Sequence, residues 1–202
     1  MKRLNIALIT GLACCLFACH SDTKNDTKAK ADSINETKDS SNTKDSGKMA
    51  STAGTMTVDE SDAKFVTEAA SGGMTEVILG KVAQEKSSNA KIKEFGAMMV
   101  TDHSKANDEL TALAKSKNIT IPTAPGADDQ KMIDDLNKKT GADFDKAYVS
   151  MMVDDHKKDI GKFEDVQKNS KDADLKAFAT KTLPVLKKHQ DAINAIDKSI
   201  KK

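Results

Sequence analysis

Tryptophan is absent from this 202-residue sequence, tyrosine occurs once and phenylalanine six times, so aromatic residues make up only 3% of the chain. Proline occurs three times and arginine once, at Arg3. Few aromatics and few prolines, set against abundant Ala, Lys and Asp, favour helices over sheet. A chain that reads phosphate draws on the bidentate guanidinium fork, which lysine does not supply. The net charge of +1 gives no field for gathering polyanions either. Nucleic acid is therefore excluded as a partner. The three cysteines fall at 14, 15 and 19 and cannot staple anything further along the chain, which excludes a disulfide scaffold. The sequence also lacks a nucleotide-binding glycine loop and any motif pairing a nucleophile with its base.

What is present first is an address. Lys2 and Arg3 form a positive start, and Leu4 to Phe17 is an apolar run of about fourteen residues. That is short for a bilayer span and the right size for a signal-peptide core. The run ends Leu16-Phe17-Ala18-Cys19, which resembles the lipobox of bacterial lipoproteins, with Phe17 bulkier than the usual residue there. The resemblance implies removal of residues 1–18, lipidation of Cys19, and anchorage in a membrane through its acyl chains. Plain secretion with cleavage near Ala18 is the alternative.

Residues 20–57 hold Ile34, Met49 and Met56 as their only large apolar side chains, among Ser, Thr, Asp, Asn and Lys. Such a segment buries too little surface to offset the entropy of ordering, so residues 19–57 read as a lipidated cysteine followed by a disordered polar tether.

Residues 58–202 read as an all-α, four-helix bundle made of two helical hairpins. Apolar residues recur at helical spacing over about 60–86, 89–117, 142–169 and 172–200. Short polar turns at 86–89 and 169–172 fold each pair back on itself, and 118–141 makes a long crossover connection with a short helix near 128–138. An offset of 83 residues matches Asp62 with Asp145, Phe65 with Tyr148, Ser87 with Ser170 and Phe95 with Phe178, among others, which suggests a duplicated hairpin. Met98–His103 and Met151–His156 echo one another at offset 53. The two methionine doublets read as core filler. Pro184, inside the last helix, removes one backbone hydrogen bond and predicts a kink.

Four polar residues interrupt the apolar stripes: Glu76, His103, His156 and His189, one on each helix. A rise of 1.5 Å per residue places them within about 9 Å of one another along the bundle axis. One imidazole or carboxylate per helix, aimed inward at one level, is how bundles build metal sites. A buried Glu is costly unless paired or coordinated. Asp102, Asp155 and Asp159 lie beside or one turn from the histidines and could orient them or act as further ligands. The same four residues also suit a buried polar network that fixes register with no metal.

Phe65-Val66, Glu76, the run Phe95–Asn107, Phe144–Tyr148, Asp155-His156 and Thr182–His189 together resemble the domain-of-unknown-function family numbered 4142. The resemblance covers about 60–197 and implies a ferritin-like bundle in the bacterial envelope, at the outer membrane and facing the periplasm or the cell surface, with no assigned activity. Ferritin-like di-iron proteins use a Glu-x-x-His step, whereas Val100, Val153 and Leu186 stand three residues before the histidines here. That argues against a di-iron centre and leaves one divalent transition metal (zinc, iron, copper or manganese) as the cofactor. The expectation is an envelope lipoprotein whose bundle binds a metal ion or a protein partner. A metal-dependent enzyme and a purely structural, stress-related module are the alternatives.

Overall fold

The computed structural model describes residues 26–40 and 58–201, which form six helices and, among the described residues, no strand. They are α1 (Thr27–Ser40), α2 (Glu60–Lys86), α3 (Ala90–Ser116), α4 (Ala127–Asn137), α5 (Gly141–Asn169) and α6 (Ala173–Ile200). The signal-peptide reading of residues 1–18, Cys19 and the tether residues 20–25 and 41–57 lie outside the described residues. None of the described helices is long and apolar enough to cross a membrane.

The four long helices start and stop where local chemistry directs. Asn89 and Asp172 open α3 and α6, each side chain accepting backbone N–H groups of the first turn. The end of α3 is closed by Asn118 at φ 56°, with Ile119 N–H donating to Ala114 O at 2.9 Å and Asn118 N–H to Lys115 O at 3.2 Å. That pair of bonds satisfies carbonyls the helix leaves open and turns the chain sharply away. Helix α6 runs through Pro184 without interruption.

Two apolar clusters define the ends of the bundle. One joins Phe65 and Val66 early in α2, Leu110 late in α3, Phe163 late in α5 and Leu175 early in α6. The other joins Leu79, Phe95, Tyr148 and Ile193 from the opposite ends of the same helices, covered by Ile133 and Leu136 of α4. Thus α3 ends at one pole and α5 begins at the other, and the connection carrying α4 crosses the full length, as the sequence suggested. Within the first hairpin the backbones touch: a Cβ added at Gly80 would lie 2.7 Å from Gly96 O, and one at Gly96 would lie 2.6 Å from Gly80 O. No side-chain rotation relieves a clash with backbone. Gly80→Val is therefore expected to cost about 2 kcal/mol in urea denaturation.

The duplication has a structural counterpart. Ser87, in the turn of the first hairpin, donates to Asp145 Oδ1 of α5 at 2.6 Å, and Ser170, in the second turn, donates to Asp62 Oδ2 of α2 at 2.7 Å. These four residues are the pairs that the 83-residue offset aligns. Each hairpin is thereby fastened to the other by the same bond, used twice.

The reading of 20–57 as structureless throughout is corrected over Thr27–Ser40. Helix α1 packs against α2, although Ala31 is its only fully buried apolar residue. Hydrogen bonds supply what apolar surface does not. Asn35 donates to Thr120 O and accepts from Thr120 N–H, both at 2.8 Å. Lys38 Nζ donates to Asn118 O and to Thr120 Oγ1, each at 2.8 Å. Asp32 accepts from Thr67 of α2 at 2.5 Å. The crossover and α1 therefore hold each other against the bundle.

Candidate metal centre

Between the two apolar clusters, α2, α3, α5 and α6 each turn one polar side chain inward. Glu76, His103, His156 and His189 are all buried, the last two completely. One ring nitrogen from each histidine lies within 4.8 Å of the other two. His103 Nδ1 lies 2.8 Å from Glu76 Oε2, and Glu76 Oε1 lies 3.7 Å from His156 Nε2. The structure thus brings together all four residues singled out by their stripe positions. Phe95 walls the site, its ring centroid 6.1 and 6.3 Å from those of His156 and His189.

The hydrogen bonds fix two tautomers. His156 Nδ1 is 3.0 Å from the Met152 carbonyl, which only accepts, so Nδ1 carries the hydrogen and Nε2 a lone pair. His189 Nε2 donates to Asp102 Oδ2 at 2.9 Å, which leaves a lone pair on Nδ1. Those two lone pairs, His156 Nε2 and His189 Nδ1, face each other at 3.4 Å. With both rings neutral, that contact has no hydrogen to share. Glu76 Oε1 and His103 Nε2 are also buried with no hydrogen-bond partner.

Protonation does not resolve the conflict. Burial lowers the pKa of all three histidines, that of His103 to about 4, and it raises Glu76 to about 7. Near neutral pH the imidazoles are therefore uncharged, and below it Glu76 is a carboxylic acid. Metal ligation needs neutral imidazoles with free lone pairs, and their second nitrogens held by a carbonyl or carboxylate. Met152 O and Asp102 play that part for His156 and His189. Of the acids expected to help, Asp102 does so directly, while Asp155 and Asp159 line a neighbouring cleft with Glu76. Burial beside Glu76 pushes Asp159 up to about 7.

A model of the family described as "Domain of unknown function (DUF4142)" matches residues 47–196. The chain belongs to this family. The stretch that places it in DUF4142 contains Glu76 and all three bundle histidines. No match to the chain was found among the curated proteins or the solved structures.

Two parts of this DUF4142 site escaped the sequence reading. Tyr148 was legible as the repeat partner of Phe65 and as part of the family-like stretch Phe144–Tyr148, but not as a site residue, yet its buried hydroxyl has no partner and its phenol pKa is raised by burial and by Glu76. The cleft beside Glu76 is built partly from α1 and from the start of α4. Only their folding onto the bundle creates it.

Proposed function

We propose that the bundle binds one divalent transition-metal ion through His103, His156 and His189, with Glu76 as the accompanying carboxylate. The observation that carries this reading is the 3.4 Å approach of two imidazole lone pairs whose other nitrogens are already committed. A cation accepts both lone pairs and removes the conflict. Three imidazoles and a carboxylate suit zinc, iron, copper or manganese. The order of the helices, two antiparallel hairpins joined by a crossover, supports a ferritin-like bundle. The lipobox-like Leu16–Cys19 supports a lipoprotein of the cell envelope, anchored through Cys19 at the outer membrane, with the bundle in the periplasm or at the cell surface.

Elemental analysis and thermal melting of the purified full-length protein test the metal. Binding to the native state raises the melting temperature, by the equivalent of about 2.7 kcal/mol at a hundredfold excess over Kd. Absence of bound metal, together with no shift for zinc, iron, copper or manganese, would leave a register-fixing polar network in its place. The anchor is checked in the same preparation. Mass spectrometry should find an acylated Cys19 peptide, and Cys19→Ser should move the protein out of the membrane fraction.

A further inference from the structure

Two unpartnered atoms in the imidazole centre bear on how its carboxylate is used. His103 Nδ1 lies 2.8 Å from Glu76 Oε2, whereas His103 Nε2 and Glu76 Oε1 are both buried with no hydrogen-bond partner. A neutral imidazole carries its hydrogen on one nitrogen and its lone pair on the other, so His103 meets an ion through one of the two. Were Nδ1 the ligand, Nε2–H would be a buried donor without an acceptor, left with its full desolvation cost. With Nε2 as the ligand, Nδ1–H donates to Glu76 and the ring has no unmet group.

The second arrangement matches the other two rings. His156 commits Nδ1 to the Met152 carbonyl and His189 commits Nε2 to Asp102, and each keeps its other nitrogen for the centre. Glu76 then does for His103 what Met152 O and Asp102 do for them. The two nitrogens of an imidazole point to opposite sides of the ring. A carboxylate hydrogen-bonded to Nδ1 is therefore out of reach of an ion on Nε2 of the same ring. Three protein ligands are left, and a tetrahedral ion with three keeps its fourth position for a ligand from outside. Glu76 Oε1 marks the side on which that position lies. It is 3.7 Å from His156 Nε2 and has no donor, and Glu76 lines a cleft of about 430 Å³ between α1, α2, α4 and α5. Glu76 is only 4% exposed, so its contact with the cleft is narrow and a ligand arriving that way is water-sized.

Resting on the metal reading above, we propose that the ion is held by His103 Nε2, His156 Nε2 and His189 Nδ1, that Glu76 orients His103, and that the fourth position takes one water-sized donor, a water or a small anion, from the cleft. Glu76 Oε1 accepts the hydrogen bond of a water in that position. Both unpartnered atoms are thereby satisfied, one by the ion and one by its fourth ligand. The chemistry such a position supplies is a water activated for nucleophilic attack.

Cobalt(II) and azide test the fourth position on the full-length protein, because ligated cobalt reports a change of ligand through its visible absorption. In the cobalt-loaded wild type, azide should shift that absorption saturably. Glu76→Gln should still bind cobalt, about 10–100-fold more weakly, as expected for an orienting partner. The same variant should bind azide about tenfold more tightly, since the amide donates where the carboxylate repels. In the zinc-loaded wild type, nitrogen-15 spectra of the histidines should place the His103 hydrogen on Nδ1. Cobalt binding without any azide response means that Glu76 closes the site as a fourth ligand, and a His103 hydrogen on Nε2 means the same. Either result overturns the open position and leaves the metal reading standing. Unchanged or weaker azide binding in Glu76→Gln would remove Glu76 from beside that position and overturn its assigned role. A wild type that binds no cobalt removes the metal reading and this proposal together.

Discussion

His156→Ala is expected to lower transition-metal affinity by at least a thousandfold, measured by cobalt titration in the visible range. A thousandfold corresponds to about 4 kcal/mol, a reasonable loss for a ligand that sits between two others. His156 is the hub of the site: its Nε2 faces both His189 Nδ1 at 3.4 Å and Glu76 Oε1 at 3.7 Å. Without it His103 and His189 remain within 4.8 Å of one another, but the contact that joins His189 to Glu76 through a single imidazole is gone. The metal-free variant should also lose about 2–3 kcal/mol of stability, from the cavity left by a fully buried ring. Asp102→Asn provides the graded comparison. It keeps every ligand and weakens only the acceptor that orients His189, so affinity should fall 10–100-fold with stability nearly unchanged. A polar network without metal predicts a different pattern, in which His156→Ala destabilises equally with and without cobalt. Retention of cobalt binding in His156→Ala would end the metal reading.

The positions of these residues were readable before any fold was known, for a specific reason. Each histidine interrupts an otherwise apolar stripe, as His189 does between Leu186 and Ile193, so helical periodicity alone turns it inward. The caps at Asn89 and Asp172 and the polar turns then fix the hairpins and bring the four stripes to one level. The 83-residue echo likewise foretold a relation between the hairpins, though not its form. That Ser87 and Ser170 reach across to Asp145 and Asp62 depends on the tertiary approach of helix ends, which periodicity does not encode.

Helix α1 shows the opposite case. Its sequence, TKAKADSINETKDS, presents no apolar stripe, and composition argues for disorder. What orders it is a set of hydrogen bonds to the crossover, through Asn35, Lys38 and Thr27, whose partners lie more than 79 residues away. Bonds of that kind leave no periodic trace. The cleft beside Glu76 was invisible for the same reason, since Asp26, Lys28 and Asp32 reach it only once α1 has docked. Histidine convergence is a property of stripes, and the acidic cleft is a property of the layer packed over them.

Glu76→Gln should change stability and binding in opposite directions. Burial raises the Glu76 pKa from 4.5 in an exposed chain to about 7 in the fold. Between those values the native carboxyl holds its proton while the unfolded one has released it, so rising pH favours unfolding. The penalty is absent below pH 4.5, grows through the interval and is complete above about 7. A displacement of that size is worth about 3 kcal/mol at 1.36 kcal/mol per pKa unit. Glutamine has the same shape, carries no charge to desolvate and can still hydrogen-bond His103. The metal-free variant is therefore expected to be up to about 3 kcal/mol more stable than wild type at pH 8, with the difference vanishing near pH 4.5, in urea melts with chelator. Metal affinity should fall in the same variant. In the wild type, affinity should drop about tenfold per pH unit below 7, because the incoming ion must displace the Glu76 proton. If Glu76→Gln destabilises the metal-free protein at pH 8, the carboxylate contributes to the fold through an ion pair with His103. If it stabilises the protein and weakens metal binding together, the carboxylate is kept in the core at a cost to stability, and metal binding accounts for its presence.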